Sequence, residues 1–393
     1  MRILVLTPTF LPVVGGAELL LYEVYRRLGR GHDVRILTPH LPAALVQEQG
    51  ASGDYPDSPW VLERYHDRLT FMRIRGHRLS RGAIPPFSLS AVAAVRHAIR
   101  AHRPDVVNVH YLMPTGLAAV VAQRWFGVPA VLSLTGRDAP GPGVPSLWRW
   151  WQRALIRLVA DTTYISRYCQ AAVVGGTPCR GEVVYGGVDI PPPAGDGTLI
   201  RRALGIPAEE PLVLSLQRLG AEKRVDVLVR ALRACRDLTG RGTLVVGGQG
   251  PERPRLEALS RELGLGAAIR FAGYIPREHL AGHFEACDLF AFHSTFETFG
   301  LAVAQAMSYG RAVVSANTTA LPEVVGDAGV LVETGDWQAM GLAIAGLLGD
   351  EPRRHALGKR GRTRAADLFN WDRIASRYEA VLQRAAGGEH RGH

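Results

Sequence analysis

The sequence predicts an α/β protein built from two domains, and three observations support this. Near the start, an apolar run over residues 2–7, a helical pattern over 17–29 and a second apolar run over 33–38 form a βαβ pattern. In the other half, residues 288–310 read as a buried strand, a turn and a helix. The length of 393 residues is enough for two domains of ordinary size.

The positive charge is concentrated in the first half of the chain. Residues 1–190 hold 21 Arg and Lys against 13 Asp and Glu, whereas the remaining residues are nearly balanced. A basic half suggests an anionic partner, such as lipid headgroups or an acidic acceptor. Nucleic acid would also fit the charge, but no known recognition motif accompanies it, so we predict no nucleic-acid partner.

Cysteine usage and hydropathy indicate a cytoplasmic protein. The four cysteines are scattered and form no C-x-x-C pair, which is typical of reduced thiols: Cys169, Cys179, Cys235 and Cys287. The first apolar run is too short for a signal peptide. No uncharged apolar segment reaches the roughly 18 residues that a membrane span needs.

Further elements of the first half show the same strand and helix alternation. Residues 91–101 are predicted to form a helix, and residues 105–110 and 128–134 are predicted to form buried strands. His110 ends the first of these strands and could face a ligand, although a lone histidine there is more often structural. Residues 43–70 are poorly patterned and are expected to form a variable loop region.

A Trp- and Arg-rich helix is predicted over residues 145–159. On a helical wheel Arg149, Arg153 and Arg157 form one stripe, with apolar side chains opposite: Leu147, Trp148, Trp151, Leu155 and Leu158. A core-packed helix with its arginines in water is the favoured interpretation. The alternative is that the helix, or its Trp-rich start, docks on anionic lipid.

A glycine pair, Gly15-Gly16, stands at the start of the first predicted helix. The pair is not part of a G-x-G-x-x-G motif, so a dinucleotide fingerprint is absent and a dehydrogenase is the weakest alternative. Paired glycines at a helix start allow a ligand to approach the backbone closely, but they also suit a plain tight turn.

The stretch from Ser294 to Gly310 carries the main functional signal. Glu297 lies in a turn after a predicted strand, and Gly300 opens a helical pattern that includes Gln305. A helix start holds anions, while a neighbouring carboxylate accepts hydrogen bonds from hydroxyl groups. The pattern therefore favours a ligand that combines sugar and phosphate.

This stretch resembles the E-x7-E motif of GT-B glycosyltransferases of the large retaining family 4. Glu297 takes the first Glu position, and Gln305 takes the second, where the family usually has Glu. The segment from Leu321 to Gly329 is similar to the next segment of that family, and the resemblance covers nearly the whole chain. It implies two Rossmann-like domains facing across a cleft, with a C-terminal helix that crosses back to the first domain.

The resemblance also assigns the domains. Residues 1–190 would be the acceptor-binding domain, together with a C-terminal helix over residues 371–388, and residues 191–370 would bind the nucleotide sugar. A Pro- and Gly-rich stretch over residues 191–197 is the expected linker. The expected reaction moves a hexose from a UDP- or GDP-sugar to a hydroxyl acceptor, with retention of configuration.

Two cations are the expected catalytic partners of Glu297. Arg218 and Lys223 match the pair in the family form G-R-L-x-x-x-K-G. Fixed cations there would stabilise a diphosphate leaving group, which gains charge as the glycosidic bond breaks. Lys223 is one of only two lysines in the chain, which suggests that the position needs a compact ammonium group.

The resemblance implies the remaining site residues. The expected donor-binding positions are Gly15, Gly16, Gly248, Gly250, Ile275, Phe299, Gly300, Leu301 and Gln305. The expected acceptor or sugar contacts are His110, Thr135, Arg137 and Asp138. The family often has His where this chain has Thr135, so a sugar contact there must be weaker or different.

No Asp-x-Asp motif occurs, so we expect transfer without a metal ion and without any cofactor beyond the nucleotide-sugar substrate. Two other functions remain open at this point. A nucleotide-sugar 2-epimerase would share the fold, and a binding protein that has lost its chemistry would fit the changes at Thr135 and Gln305.

Overall fold

The computed structural model describes residues 1–12, 15–41, 59–67, 87–136, 138–139, 146–176, 179–191 and 197–388. The chain divides into two compact units. Unit 1 comprises Met1–Gly186 together with Trp371–His393, and unit 2 comprises Gly187–Asn370. Arg137 and most of the predicted linker lie outside the described residues.

Unit 1 is built on a parallel sheet with the strand order β3-β2-β1-β4-β5-β6-β7. The short, mostly apolar runs pair in register, as in the match of Ile3 to Val34 on one side of β1 and to Val106 on the other. The strands are β1 (Arg2–Leu6), β2 (Asp33–Pro39), β3 (Trp60–Tyr65), β4 (Val106–His110), β5 (Ala130–Leu134), β6 (Asp161–Tyr164) and β7 (Glu182–Val183).

Helices cover both faces of this sheet. Those in its described part are α1 (Gly16–Leu28), α2 (Leu89–His102), α3 (Gly116–Trp125), α4 (Ser146–Arg157), α5 (Arg167–Val174) and α14 (Trp371–Ala386). The chain runs from β1 through β2 to β3 in one direction across the sheet, and the connections after β3 run in the opposite direction. Since such crossovers are right-handed, α1 covers one face and α2 to α5 cover the other. The C-terminal helix α14 packs against α1.

Unit 2 repeats the plan with a parallel sheet in the order β10-β9-β8-β11-β12-β13. Its strands are β8 (Leu212–Leu216), β9 (Thr243–Gly247), β10 (Ile269–Gly273), β11 (Leu289–Phe292), β12 (Ala312–Ala316) and β13 (Gly329–Val332). Its helices are α6 (Thr198–Ala203), a 3₁₀ turn (Ala221–Lys223), α7 (Val225–Thr239), α8 (Arg253–Glu262), α9 (Arg277–Ala286), α10 (Leu301–Ser308), α11 (Leu321–Val325), α12 (Trp337–Gly349) and α13 (Glu351–Leu368).

Both sheets have the doubly wound order, in which strands are added first to one side of the starting strand and then to the other. The predicted α/β class with two Rossmann-like domains is therefore confirmed. The direction of winding reverses between β1 and β4 in unit 1 and between β8 and β11 in unit 2. Ligands of such sheets bind outside the carboxyl ends of the strands at this switch point.

The central strands are buried on both faces, which explains their continuous apolar runs. In unit 2 a single core joins the sheet to α7, α8 and α12, with Leu228, Leu232 and Met340 fully buried. Among the described residues, no helix is both long and apolar enough to cross a bilayer.

Four elements of unit 1 depart from the sequence prediction. The pattern predicts loop over residues 43–70, but Trp60–Tyr65 form β3, which pairs with β2 over six residues. Helices α3 and α5 are not among the predicted elements. The helix predicted over residues 145–159 is present as α4, but Leu147, which the helical wheel places on its buried side, is exposed.

Candidate active site

The predicted catalytic residues meet at the switch point of unit 2. Strands β8 and β11 lie side by side, and each ends in a loop at the same edge of the sheet. The loop after β8 leads through Arg218 to the 3₁₀ turn that ends at Lys223. The loop after β11 carries Glu297 and ends at Gly300, where α10 begins. The sheet topology therefore brings together three side chains that come from two separate parts of the sequence.

Lys223 and Glu297 form an ion pair between the ammonium Nζ and the carboxylate Oε1. Both side chains are largely shielded from water, with 19% and 14% of their surface exposed. The ammonium also lies 5.9 Å from the ring centre of Phe292, the last residue of β11. Shielding strengthens a charge interaction because there is less water to screen it, so this pair fixes the geometry of both groups.

The backbone of the two loops is joined next to this pair. The carbonyl of Glu222 accepts a hydrogen bond from the backbone N–H of Thr295 at 2.9 Å and one from its hydroxyl at 3.0 Å. On the other side, the N–H of Glu297 donates to the hydroxyl of Thr319 at 2.9 Å. Thr319 has a positive φ of +48°, an uncommon conformation for threonine. Glu297 is therefore held by its backbone as well as by Lys223.

Arg218 is the exposed member of the site, with 60% of its side-chain surface in contact with solvent. Its guanidinium pairs with Glu222, four residues later. Burial would raise the pKa of Glu222, but its own backbone N–H and the charge of Arg218 outweigh that effect and lower it. An exposed ion pair contributes little to stability. The guanidinium of Arg218 can therefore leave Glu222 and pair with another anion.

The glycine turn after β9 supports the Arg218 loop. Gly248 and Gly250 have φ values of +129° and +159°. A Cβ atom on Gly248 would lie 1.9 Å from the carbonyl oxygen of Gln217, and one on Gly250 would lie 2.3 Å from that of Leu219. Both positions require glycine, because the turn packs directly on the backbone that carries Arg218. The structure thus gives these two predicted donor-binding glycines a positioning role.

The start of α10 combines a free helix end with another required glycine. Gly300, at the N-cap, has a φ of +95°, and a Cβ there would lie 2.6 Å from Leu321 Cδ2. Leu301 begins the helix and is half-buried. Gln305 lies one turn further on and is also half-buried. The first backbone N–H groups of α10 can therefore bind an anion.

Two predicted donor contacts face the interior of unit 2. Phe299 is buried, and its ring meets that of Phe369 edge to face at 5.3 Å. Ile275 is also buried, next to the backbone of Gly247. Their side chains pack inside unit 2. Only the backbone at these positions remains a proposed ligand contact.

In unit 1, Gly15 and Gly16 stand at the start of α1 as predicted. A carboxylate of the same helix already occupies the space beside them, because Glu18 Oε2 would lie 2.6 Å from a Cβ on Gly15. Glu18 also accepts a hydrogen bond from the hydroxyl of Thr9. The acid at this helix end makes it a poorer site for a phosphate and a better one for hydroxyl groups.

His110 is the last residue of β4, but its side chain is buried in the core of unit 1. The side chain is 1% exposed, and its Nε2 lies 2.6 Å from the hydroxyl of Tyr25. Burial lowers the pKa of His110 to about 3, so the ring is neutral at physiological pH. This burial favours a structural role for the histidine, the more frequent one at such a position, and an acceptor contact at His110 stays a prediction. The histidine belongs to a buried polar network that includes Asn108 and Tyr378.

Asp138 anchors the loop after β5. Its carboxylate accepts hydrogen bonds from the backbone N–H of Leu112 at 2.7 Å and that of Thr135 at 3.2 Å. Burial raises the pKa of Asp138 to about 6, although these backbone donors act in the other direction. The hydroxyl of Thr135 is buried without a hydrogen-bond partner among the described residues. Asp138 therefore shapes the loop, and Thr135 offers an unused donor.

Sequence reasoning missed three residues that organise the site: Glu222, His293 and Thr319. Glu222 follows Arg218 by four residues, but the segment between them is not an α-helix, so the spacing alone does not predict the pair. His293 is buried, accepts a hydrogen bond from the N–H of Gly335 at 2.9 Å, and has its pKa lowered by burial to about 4. Nothing in the sequence near Thr319 or Gly335 reveals these long-range contacts. Among the described residues, no group of His, Cys, Asp and Glu side chains could hold a metal ion.

Comparison with known proteins supports this architecture. Residues 14–190 match the model of Glycosyltransferase Family 4, and residues 196–364 match that of Glycosyl transferases group 1. The D-inositol 3-phosphate glycosyltransferase of Thermomonospora curvata is 33% identical over 72% of this chain and 73% of its own. The N-acetyl-alpha-D-glucosaminyl L-malate synthase of Bacillus anthracis is 25% identical over 95% of each chain.

Among solved structures, Anabaena HepE in complex with UDP has a similar fold. The TM-score is 0.75 at 23% identity, and the match covers 98% of this chain and all of HepE. The two doubly wound units, the two family models and this similar fold show the class of the protein, which is that of GT-B glycosyltransferases. The chain belongs to glycosyltransferase family 4 within that class, and it is a glycosyltransferase.

Proposed function

We propose that the protein transfers a hexose from a UDP- or GDP-sugar to a hydroxyl acceptor with retention of configuration. Unit 2 holds the nucleotide sugar, and unit 1 holds the acceptor. The observation that carries the proposal is the placement of Lys223, Glu297 and Arg218 at the switch point beside the free start of α10. HepE, which shares the fold, was crystallised with UDP.

The charges of the site suit the leaving group. In the reaction, the bond between the sugar and the diphosphate breaks and a bond from the sugar to the acceptor oxygen forms. The diphosphate gains negative charge as its bond breaks, and one of its oxygens takes up the proton that the acceptor hydroxyl loses. Arg218, Lys223 and the first backbone N–H groups of α10 stabilise that charge. Since the two cations are already paired with carboxylates, the diphosphate takes over or shares their positive charge when it binds.

Glu297 has a different task. A carboxylate beside a diphosphate would repel it, but Lys223 neutralises Glu297 and holds it in place. The second carboxylate oxygen is then available to accept hydrogen bonds from sugar hydroxyls. We assign Glu297 to orientation of the hexose and name no enzymic nucleophile. Gln305 is the proposed ribose contact, and as a neutral group it binds about 1 kcal/mol more weakly than Glu would.

An anionic acceptor fits the charge of unit 1. One of the relatives is named for L-malate and the other for D-inositol 3-phosphate. Both compounds carry negative charge and hydroxyl groups. The basic excess over residues 1–190 would favour such a partner. The four cysteines are all unpaired, from which we infer a reducing, cytoplasmic location.

Donor binding and turnover test the proposal together. UDP, GDP and their hexose derivatives are screened by thermal shift, and the stabilising donor is then assayed with L-malate and D-inositol 3-phosphate. We expect Glu297→Ala to lower kcat by about 100-fold or more, because a preorganised contact in the transition state is lost. Gln305→Glu, in the helix that follows the Glu297 loop, is the matched control. It should stay active, with donor affinity raised several-fold. Full activity of Glu297→Ala would defeat the assignment.

A further inference from the structure

One face of unit 1 carries no negative charge on its helices. Helices α2, α3, α4 and α5 contain no Asp or Glu, yet together they contain seven arginines: Arg96, Arg100, Arg124, Arg149, Arg153, Arg157 and Arg167. The opposite face is mixed, since α1 carries Glu18 and Glu23 and α14 carries Asp372 and Glu379. The excess of positive charge on the helices therefore lies on one face of unit 1 and is not spread over the whole unit.

The helices form a continuous surface. Helix α2 packs beside α3, α3 beside α4, and α4 beside α5. We call the outer surface of α2, α3 and α4, with Arg103 at the end of α2, the cationic face. Its exposed arginines form no ion pair with any described carboxylate: Arg96, Arg100, Arg103, Arg124 and Arg157. Their charges are therefore uncompensated by the described part of unit 1.

Large apolar side chains are exposed on the same helices. Trp125, at the end of α3, is 78% exposed, and Trp150, in α4, is 58% exposed. Leu89 at the start of α2 and Leu147 beside Trp150 are exposed as well. Exposing two tryptophans to water is unfavourable for a soluble surface, whereas Trp and Arg are the side chains that suit the boundary between lipid headgroups and hydrocarbon.

We propose that the cationic face docks on the surface of an anionic phospholipid bilayer. The arginines bind lipid phosphates, while Trp125, Trp150 and Leu147 enter the headgroup layer. Charge complementarity selects the lipid, because the helices offer only positive charge. This surface is wider than the arginine stripe of α4 suggested by the sequence, and it includes α2 and α3. The inference goes beyond the proposed reaction and does not depend on which sugar is transferred.

The arginines of α4 do not all lie on the cationic face. Arg153 turns toward the neighbouring helix, where its Nε donates to the carbonyl of Val173 at 3.4 Å. Arg157 remains exposed at the end of α4. Trp150 and Arg157 are seven residues apart and therefore lie on one side of the helix. These two side chains are the part of α4 that belongs to the cationic face.

Flotation of the full chain with vesicles tests the proposal. Phosphatidylcholine vesicles are compared with vesicles in which about one third of the lipid is phosphatidylglycerol, at low and high salt. The protein should float with the anionic vesicles at low salt and remain behind with the neutral ones. Equal recovery with both kinds of vesicle overturns the proposal.

Variants locate the contact. Arg96→Gln combined with Arg157→Gln should lower the partition coefficient for anionic vesicles by about 30-fold, from the usual contribution of each basic side chain near such a surface. Arg353→Gln combined with Arg360→Gln removes the same charge from exposed positions of α13 in unit 2 and is the matched control. If both pairs weaken flotation equally, only net charge matters and the cationic face is not the docking surface.

A second measurement does not depend on these substitutions. Vesicles with brominated phosphatidylglycerol should quench tryptophan fluorescence, and the quenching should fall when Trp125→Phe and Trp150→Phe are combined. Unchanged quenching overturns the assignment of the inserted side chains. Binding of total RNA without any flotation would make the face a nucleic-acid surface and would also overturn the proposal.

Discussion

At the residue scale, the candidate site consists of cations that already have carboxylate partners. Lys223 pairs with Glu297 and Arg218 pairs with Glu222, yet the two pairs differ in exposure. The shielded pair fixes a geometry, whereas the exposed pair leaves its guanidinium free to move to a ligand. A diphosphate would therefore meet one rigid cation and one adaptable cation.

The buried Asp138 predicts a pH dependence of stability. Burial raises its pKa to about 6 from an ordinary value of 3.8. Folding thus favours the protonated carboxyl group, and the stability that this contributes is full below about pH 4 and is lost as the pH rises through 6. We expect Asp138 alone to make unfolding easier by up to about 3 kcal/mol across this window.

Urea unfolding at several pH values, measured by tryptophan fluorescence, checks this prediction. Asp138→Asn should be less stable in general because it loses an acceptor of backbone hydrogen bonds, but it should lack this slope between pH 4 and 6. Asp33→Asn removes an exposed carboxylate from the same unit and serves as the control. Parallel pH profiles for the protein and Asp138→Asn would refute the assignment.

At the scale of elements, one loop is positioned by another. The turn that contains Gly248 packs on the backbone of Gln217 and Arg218, and the N–H of Leu219 donates to the carbonyl of Gln249 at 2.8 Å. The position of Arg218 is thus set by the turn after β9, the strand that pairs with β8 on the side away from β11. Through this packing, Gly248 can control ligand binding at Arg218.

Gly248→Ala should weaken donor binding by about tenfold or more while the protein still folds. The new methyl group would overlap the carbonyl of Gln217, and the φ of +129° is unfavourable for alanine, so the Arg218 loop must shift. Calorimetric titration with the donor measures the loss. Gly264→Ala is the matched control, because Gly264 also has a positive φ but open space around it. Similar affinities for the two variants would contradict the positioning role.

At the scale of the whole molecule, the last helix belongs to the first unit. Helix α14 packs on α1, and an ion pair joins Arg27 Nε to Asp372 at 2.6 Å. A hydrogen bond joins His32 Nε2, just after α1, to Glu379 at 2.9 Å. Tyr378 of α14 is fully buried and stacks on His110 at 6.3 Å. The core of unit 1 is therefore completed only when the end of the chain is in place.

Leu382→Ala should lower the free energy of unfolding of unit 1 by about 3 kcal/mol, since Leu382 is fully buried and its loss leaves a cavity. Ser376→Ala, at an exposed position of the same helix, should change it by less than about 0.5 kcal/mol. Tryptophan fluorescence in urea is a suitable probe, because six of the seven tryptophans belong to unit 1. An unfolding curve of Leu382→Ala that matches the control would show that α14 is not part of this core.

Much of the fold could be predicted from periodicity, and the misses have physical causes. The runs that form β1, β4, β8 and β11 are buried on both faces and read clearly as strands. Strand β3 lies at the sheet edge and is only partly buried, so its residues lack a continuous apolar run. Helix α3 is short and largely apolar, which hides the helical period.

The sequence by itself determined the α/β class, the two Rossmann-like domains and the family, because short apolar runs and motif spacing are local properties. Only the tertiary structure decided that His110 and Phe299 face the interior, that Glu222 is the partner of Arg218, and that the acid-free helices share one face. The reason is that the direction of a side chain depends on which distant elements pack against it, and those contacts exist only once the sheets have formed.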